Sequence, residues 1–116
     1  MTHLVVLNDH PYQSERTYNG LRLATALAGI EQNTVRLFLI GDGVFSAVSG
    51  QTVPNGKHDI EWMLRRFWAG HREAGVCRTC MEARGIEPAM LIEGTHRSTL
   101  DELTRWTEES DRVLVF

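Results

Sequence analysis

The sequence has no apolar run longer than a strand. Leu4-Val5-Val6-Leu7 is cut off by Asn8-Asp9, so neither a signal peptide nor a membrane-spanning helix is expected. An excess of positive charge is also missing. Twelve Lys and Arg against 15 Asp and Glu leave −3 at pH 7, which argues against a general binder of nucleic acid or membrane surfaces. Internal repeats and low-complexity segments are absent. Gly41-x-Gly43 lacks the third glycine of a dinucleotide fingerprint and there is no Walker sequence, so no cofactor is expected. Zinc would need Cys77, Cys80 and two histidines. His71 and His96 do not stand at the spacing of a second ligand pair, so no metal is expected either. His10 and His58 read, like these two, as polar surface residues, and no serine is marked out by a neighbouring base.

Cysteine is scarce, and both copies fall in one stretch, Val76-Cys77-Arg78-Thr79-Cys80-Met81-Glu82-Ala83-Arg84-Gly85. With no targeting segment in view, the cytoplasm is the default compartment, where thiols stay reduced. A Cys-x-x-Cys there points to redox, sulfur-carrying or metal-binding use more than to a structural disulfide.

The remainder is ordinary globular sequence: 116 residues, 42% hydrophobic and 23% charged, enough for one domain with one core. His3 to Leu7 reads as a strand, apolar on both faces and therefore inside a parallel sheet. Asn8 to Gln13 is a loop, and Ser14 caps a helix from Glu15 to about Ala28, with Leu21, Leu23, Ala24, Leu27 and Ala28 on its apolar face. Thr34 to Ile40 is the second strand. Asp42 follows it, placed to cap a short helix over Val44 to Val48. Ser49 to Lys57 is a loop, and Asp59 caps a helix from Ile60 to about Gly70. In that helix Trp62 falls opposite Ile60 and Leu64, to be covered by a loop or by a second subunit.

Glu73 to Val76 reads as a loop entering a short strand at Val76-Cys77. Thr79 to Arg84 reads as a short helix closed by Gly85 at a left-handed position. Met90 to Ile92 is a small strand or a packed loop. Ser98-x-x-Asp101 resembles a capping box for a last helix ending near Glu109, with Leu100, Leu103 and Thr107 inward and Trp106 at the margin. Arg112 to Phe116 ends the chain as a strand apolar enough to be buried on both faces. Alternating strands and helices in this order predict an α/β fold, a parallel sheet with helices on both faces and right-handed crossovers.

The cysteine stretch thus lies where a strand hands over to a helix, at the carboxyl edge of the sheet where open α/β folds build their sites. A thiol at a helix N-terminus faces unpaired N–H groups, which lower its pKa from about 8.5 towards neutrality. Arg78 and Arg84 lie near enough in sequence to favour an anion at Cys77. The competing reading is core filling, since cysteine also serves as a small buried hydrophobe, and it applies more to Cys80, on the inner side of the helix, than to Cys77.

Several segments, taken in order, resemble the DsrE/DsrF-like family and most closely its YchN-like branch. They are Pro11-Tyr12-Gln13-Ser14-Glu15 with Asn19 to Ala24, Arg36 to Leu39 with Asp42-Gly43-Val44, Cys77-Arg78-Thr79-Cys80 with Arg84-Gly85-Ile86, and Leu103 to Thr107 with Asp111 to Leu114. Gln13 stands where the branch usually has glycine. The resemblance implies a three-layer α/β/α fold with a five-stranded parallel sheet over residues 1–116, and homo-oligomers, commonly trimers paired into hexamers. It also implies sulfur-donor and sulfur-acceptor proteins as partners. In the sulfur-relay branch one cysteine accepts persulfide sulfur and passes it on; that role falls on Cys77. Cys80 would modulate or resolve it, with Arg78, Arg84, Asp42 and Tyr12 in support. A thiol–disulfide switch and a non-catalytic oligomeric binding module are the two rival functions.

Overall fold

A computed structural model describes residues 1–116. Five strands form one parallel sheet in the order β4-β3-β2-β1-β5: β1 (Thr2–Leu7), β2 (Thr34–Leu39), β3 (Glu73–Cys77), β4 (Thr95–Ser98) and β5 (Arg112–Val115). The helices are α1 (Arg16–Ala28), α2 (Ile60–Ala69), α3 (Arg78–Ala83) and α4 (Leu100–Glu109). The α/β/α architecture and the five parallel strands are as the resemblance implied.

Strand pleating sorts the core into two layers. Val5 and Leu7 of β1, Val35, Leu37 and Leu39 of β2 and Ala74 and Val76 of β3 face α1 to α3, joining Leu21, Ala24, Ile60, Leu64, Phe67 and Met81 in the larger cluster. The alternate positions, Leu4, Val6 and Phe38, face α4 and meet Trp106. The path steps β1 to β2 to β3 to β4 with its helices on one face, then returns to β5 with α4 on the other. All four crossovers therefore share one hand, as a right-twisted sheet requires.

Local signals explain most boundaries. Asp59 Oδ1 accepts the Trp62 N–H at 3.0 Å and starts α2 as expected. Gly85, at φ +68°, closes the turn after α3. Gln13 takes the place of a glycine without strain, because the only non-glycine residue with positive φ is His71, at +58°. His71→Gly relieves that conformation and is expected to raise stability by about 0.5–1 kcal/mol, read by denaturant unfolding. Unchanged or lower stability would show that the imidazole makes a compensating contact.

Several expectations need correction. The first helix starts at Arg16. Ser14 Oγ accepts the Arg16 N–H (3.2 Å) and donates to Asp9 (2.6 Å), while Glu15 occupies the cap position with no side-chain bond. The segment after β2 is a 3₁₀ helix over Gly41–Ala47. Glu73 to Cys77 is all strand, since Arg36 and Leu37 of β2 supply partners for Glu73 and Ala74. Pro88–Met90 forms a 3₁₀ turn, and of the two readings of Met90 to Ile92 the packed loop holds, with a single bridge from Leu91 to Val48 and Ile92 buried.

The last helix is capped by Thr99, whose hydroxyl accepts the Glu102 N–H at 3.3 Å; Ser98 belongs to β4 and donates to Glu102 at 2.7 Å. Its phase is also turned. Trp106 is fully buried, whereas Leu100 is 73% exposed and Thr107 is also exposed. The terminal strand is an edge strand: Leu114 packs on the core, but Val113 and Val115 stay 41% and 67% exposed on the α4 face. One helix covers that whole face and does not reach them. No helix is long and apolar enough to cross a membrane.

Candidate functional site: the paired cysteines

Cys77 is the last residue of β3 and the N-cap of α3. The strand fixes its backbone through pairing with β2 and β4, in register with Ser98. It packs at the margin of both core clusters and is half-buried, as is Cys80. Its Sγ does what a serine or aspartate oxygen does at other helix starts: it accepts the Cys80 N–H, at 3.3 Å. The Thr79 hydroxyl lies 3.5 Å from the same sulfur.

Burial alone pushes the Cys77 thiol up. Hydrogen bonds from the Cys80 side chain, the Thr79 hydroxyl and the backbone N–H groups of Cys80 and Thr79 outweigh it and hold Cys77 below its ordinary value. Cys80 moves the other way. Burial and the neighbouring Cys77 sulfur push it up, against the Gly41 N–H and the Arg84 charge. Cys77 is thus the thiol of the pair set to ionise first, and Cys80 the one set to stay protonated.

The loop after β2 completes the site. The Gly41 N–H donates to Cys80 Sγ at 3.3 Å, and Gly41 sits at φ +57° to turn that N–H towards the sulfur. Asp42 does not serve as a helix cap; it pairs with Arg84 Nε at 2.9 Å, and Arg84 also donates to the Cys80 carbonyl at 3.1 Å. These contacts latch the loop to α3. Arg78 points to Glu82 at 3.5 Å on the exposed side of α3. The arginine assistance read for Cys77 therefore falls on Cys80, through Arg84, while hydrogen-bond donors do that work at Cys77. Tyr12 stands apart from the sulfurs: its hydroxyl accepts the Ile60 N–H at 3.1 Å and pins the first loop to α2.

Thr79 and Gly41 had not been singled out from the sequence. Thr79 could have been found as a hydroxyl residue inside the Cys-x-x-Cys, two residues from a capping sulfur. Gly41 gives no local signal, because its contact spans 39 positions. The 290 Å³ hollow beside α3, lined by Met81, Gly85, Ile86 and Arg97, contains neither cysteine. No three His, Cys, Asp or Glu side chains converge to hold a metal ion.

The split in acidity predicts a pH profile. Alkylation of Cys77 by iodoacetamide should rise with pH and level off at a midpoint below the roughly 8.5 of a free thiol. The depressed value means that thiolate is populated on the acid side of that reference. Alkylation of Cys80 should follow only at higher pH. Peptide mapping after timed labelling separates the two, and equal midpoints would contradict the hydrogen-bond assignment.

Comparison with known proteins agrees with this frame. Protein YchN of Escherichia coli (strain K12) is 41% identical over 114 residues, covering 97% of both chains. The crystal structure of YchN from Escherichia coli superposes with a TM-score of 0.90 at 39% identity, over the whole of both chains. MTH1491 from Methanobacterium thermoautotrophicum shares the fold alone, with a TM-score of 0.74 at 14% identity. The profile of the DsrE/DsrF-like family matches residues 1–116, and the chain belongs to that family.

Proposed function

We propose that the protein is a sulfur carrier, with Cys77 as the persulfide-bearing residue. The observation that carries this reading is the half-exposed Cys77 sulfur, held by the Cys80 N–H beside the Thr79 hydroxyl and shifted towards thiolate. In the loading step, the Cys77 thiolate attacks the outer sulfur of a donor persulfide, R–S–SH. The donor's S–S bond breaks, R–S⁻ leaves, and Cys77 carries –S–SH. In the delivery step, an acceptor thiolate attacks that outer sulfur, the acceptor becomes the persulfide and Cys77 returns as thiolate. The donors at the start of α3 stabilise this leaving thiolate. No net oxidation occurs, so no redox cofactor is required. Cytoplasmic residence fits, because the carrier thiol must start reduced.

Donor and acceptor are read as proteins of the same thiol chemistry. A homo-oligomer, trimeric or hexameric by family resemblance, is supported by the exposed apolar residues Val113 and Val115 on the thinly covered sheet face.

A second reading, a thiol–disulfide switch, is favoured by one observation: the Cys80 backbone N–H donates to the Cys77 sulfur at 3.3 Å, so both cysteines stand at the same helix start. Two electrons and two protons would pass from Cys77 and Cys80 to an oxidised dithiol partner as their disulfide forms. Cys80→Ser separates the readings. For a carrier, sulfur loading from a small-molecule persulfide should persist within a few-fold of wild type, since one hydrogen bond is altered. For a switch, reversible oxidation should disappear. A variant that no longer loads sulfur would make Cys80 part of the transfer itself and contradict the single-cysteine carrier.

A further inference from the structure

Away from the cysteines, α1 and α2 flank an open groove of about 610 Å³ on the outer helical layer. Leu23 and Ala26 of α1 and Trp62 and Met63 of α2 line it, with Arg22 and Arg66 beside them. Asn19 and Thr25 of α1 complete the lining, so α1 contributes five residues and α2 three. Trp62 is 55% exposed; no loop covers it.

Neither arginine has an acid partner, a state shared with Arg72, Arg97 and Arg112 elsewhere on the surface. Arg16, Arg36, Arg65, Arg78, Arg84 and Arg105 each meet a carboxylate within 4.0 Å. Arg22 has only the Asn19 side-chain oxygen, at 3.2 Å, and the Tyr18 ring, 5.2 Å away. Arg66 has only the Trp62 ring, 5.3 Å away. Two unpaired guanidinium groups thus flank an apolar surface in a chain whose net charge is −3.

From this juxtaposition we propose that the α1–α2 groove binds a small aromatic carboxylate. The ligand's ring would lie against Trp62 and Leu23, and its carboxylate would accept from Arg22 and Arg66. A guanidinium fork matches a carboxylate in geometry and charge, and an indole offers a flat face for ring stacking. The groove's volume lies in the range of small-molecule sites, roughly 300–1,000 Å³. A neutral aromatic would use the walls alone, and a polar anion the arginines alone. The site is independent of the thiol chemistry at Cys77.

The test compares 1-naphthylacetate with the uncharged 2-(1-naphthyl)ethanol, titrated into the full chain while the Trp62 indole N–H resonance is followed. Trp62→Phe assigns that resonance. The acid should bind about tenfold tighter than the alcohol, the size of a charge-assisted hydrogen bond. The double variant Arg22→Gln/Arg66→Gln should erase that difference, and Trp62→Ala, which removes the reporter and is therefore followed by titration calorimetry, should weaken both ligands. Equal affinities, a preference for the acid that survives the double variant, or no response at millimolar ligand would overturn the proposal. A Trp62 resonance that shifts with protein concentration and ignores both ligands would place a second copy in the groove and overturn it equally.

Discussion

Cys77→Ser is expected to abolish sulfur loading while leaving the fold in place. The substitution is nearly isosteric, and the serine oxygen can still accept the Cys80 N–H that starts α3, so the helix keeps its cap. Neither core cluster depends on Cys77, which packs only at their margins. What vanishes is the thiolate: a hydroxyl at the same position is not ionised near neutrality and forms no persulfide. Unfolding midpoints should therefore agree within about 1 kcal/mol while loading falls to background. Loading that survives would remove Cys77 from the mechanism.

Trp106→Ala is expected to cost the most stability, about 3–5 kcal/mol, because it empties the smaller core layer. The indole is fully buried, meets Phe38 edge-on with ring centroids 6.3 Å apart, and lies 5.3 Å beneath the Arg36 guanidinium. Arg36 in turn ties β2 to Glu73 of β3 at 2.9 Å and to Glu109 of α4 at 2.7 Å. Losing the ring opens a cavity and leaves this ion-pair cluster without its apolar floor. Trp62→Ala, on an exposed position, should stay within about 0.5 kcal/mol. Denaturant unfolding of both variants gives the comparison, and similar losses would contradict the two-layer description of the core.

The site was legible where its determinants are local. Cys77 and Cys80 are three residues apart, and the apolar Val76 before them and Gly85 after them mark a strand passing into a short helix. Asp59 announced α2 in the same way. The parts that could not be read depend on distant partners. Strand β4, Thr95-His96-Arg97-Ser98, lacks apolar alternation. Its α4-facing side is satisfied by a polar cluster, in which Glu102 accepts from Ser98 and bonds His96, which a single segment cannot reveal. Periodicity counted from Leu100 puts Trp106 at the margin, whereas docking on Phe38 and Arg36 sets the helix's rotation. The last strand was read as buried from its apolarity alone, yet position at the sheet edge, a property of the whole topology, leaves Val113 and Val115 open. Asp42 and Arg84 were both singled out, but their pairing across 42 positions appears only in the fold.

The central claim is that sulfane sulfur rests on Cys77. Intact-mass spectrometry of the wild-type chain after incubation with a small-molecule persulfide donor, with and without reductant, tests it most directly. The carrier reading predicts a gain of about 32 Da that reductant removes and that Cys77→Ser lacks. A loss of about 2 Da that requires both cysteines would instead identify a disulfide switch and contradict the carrier.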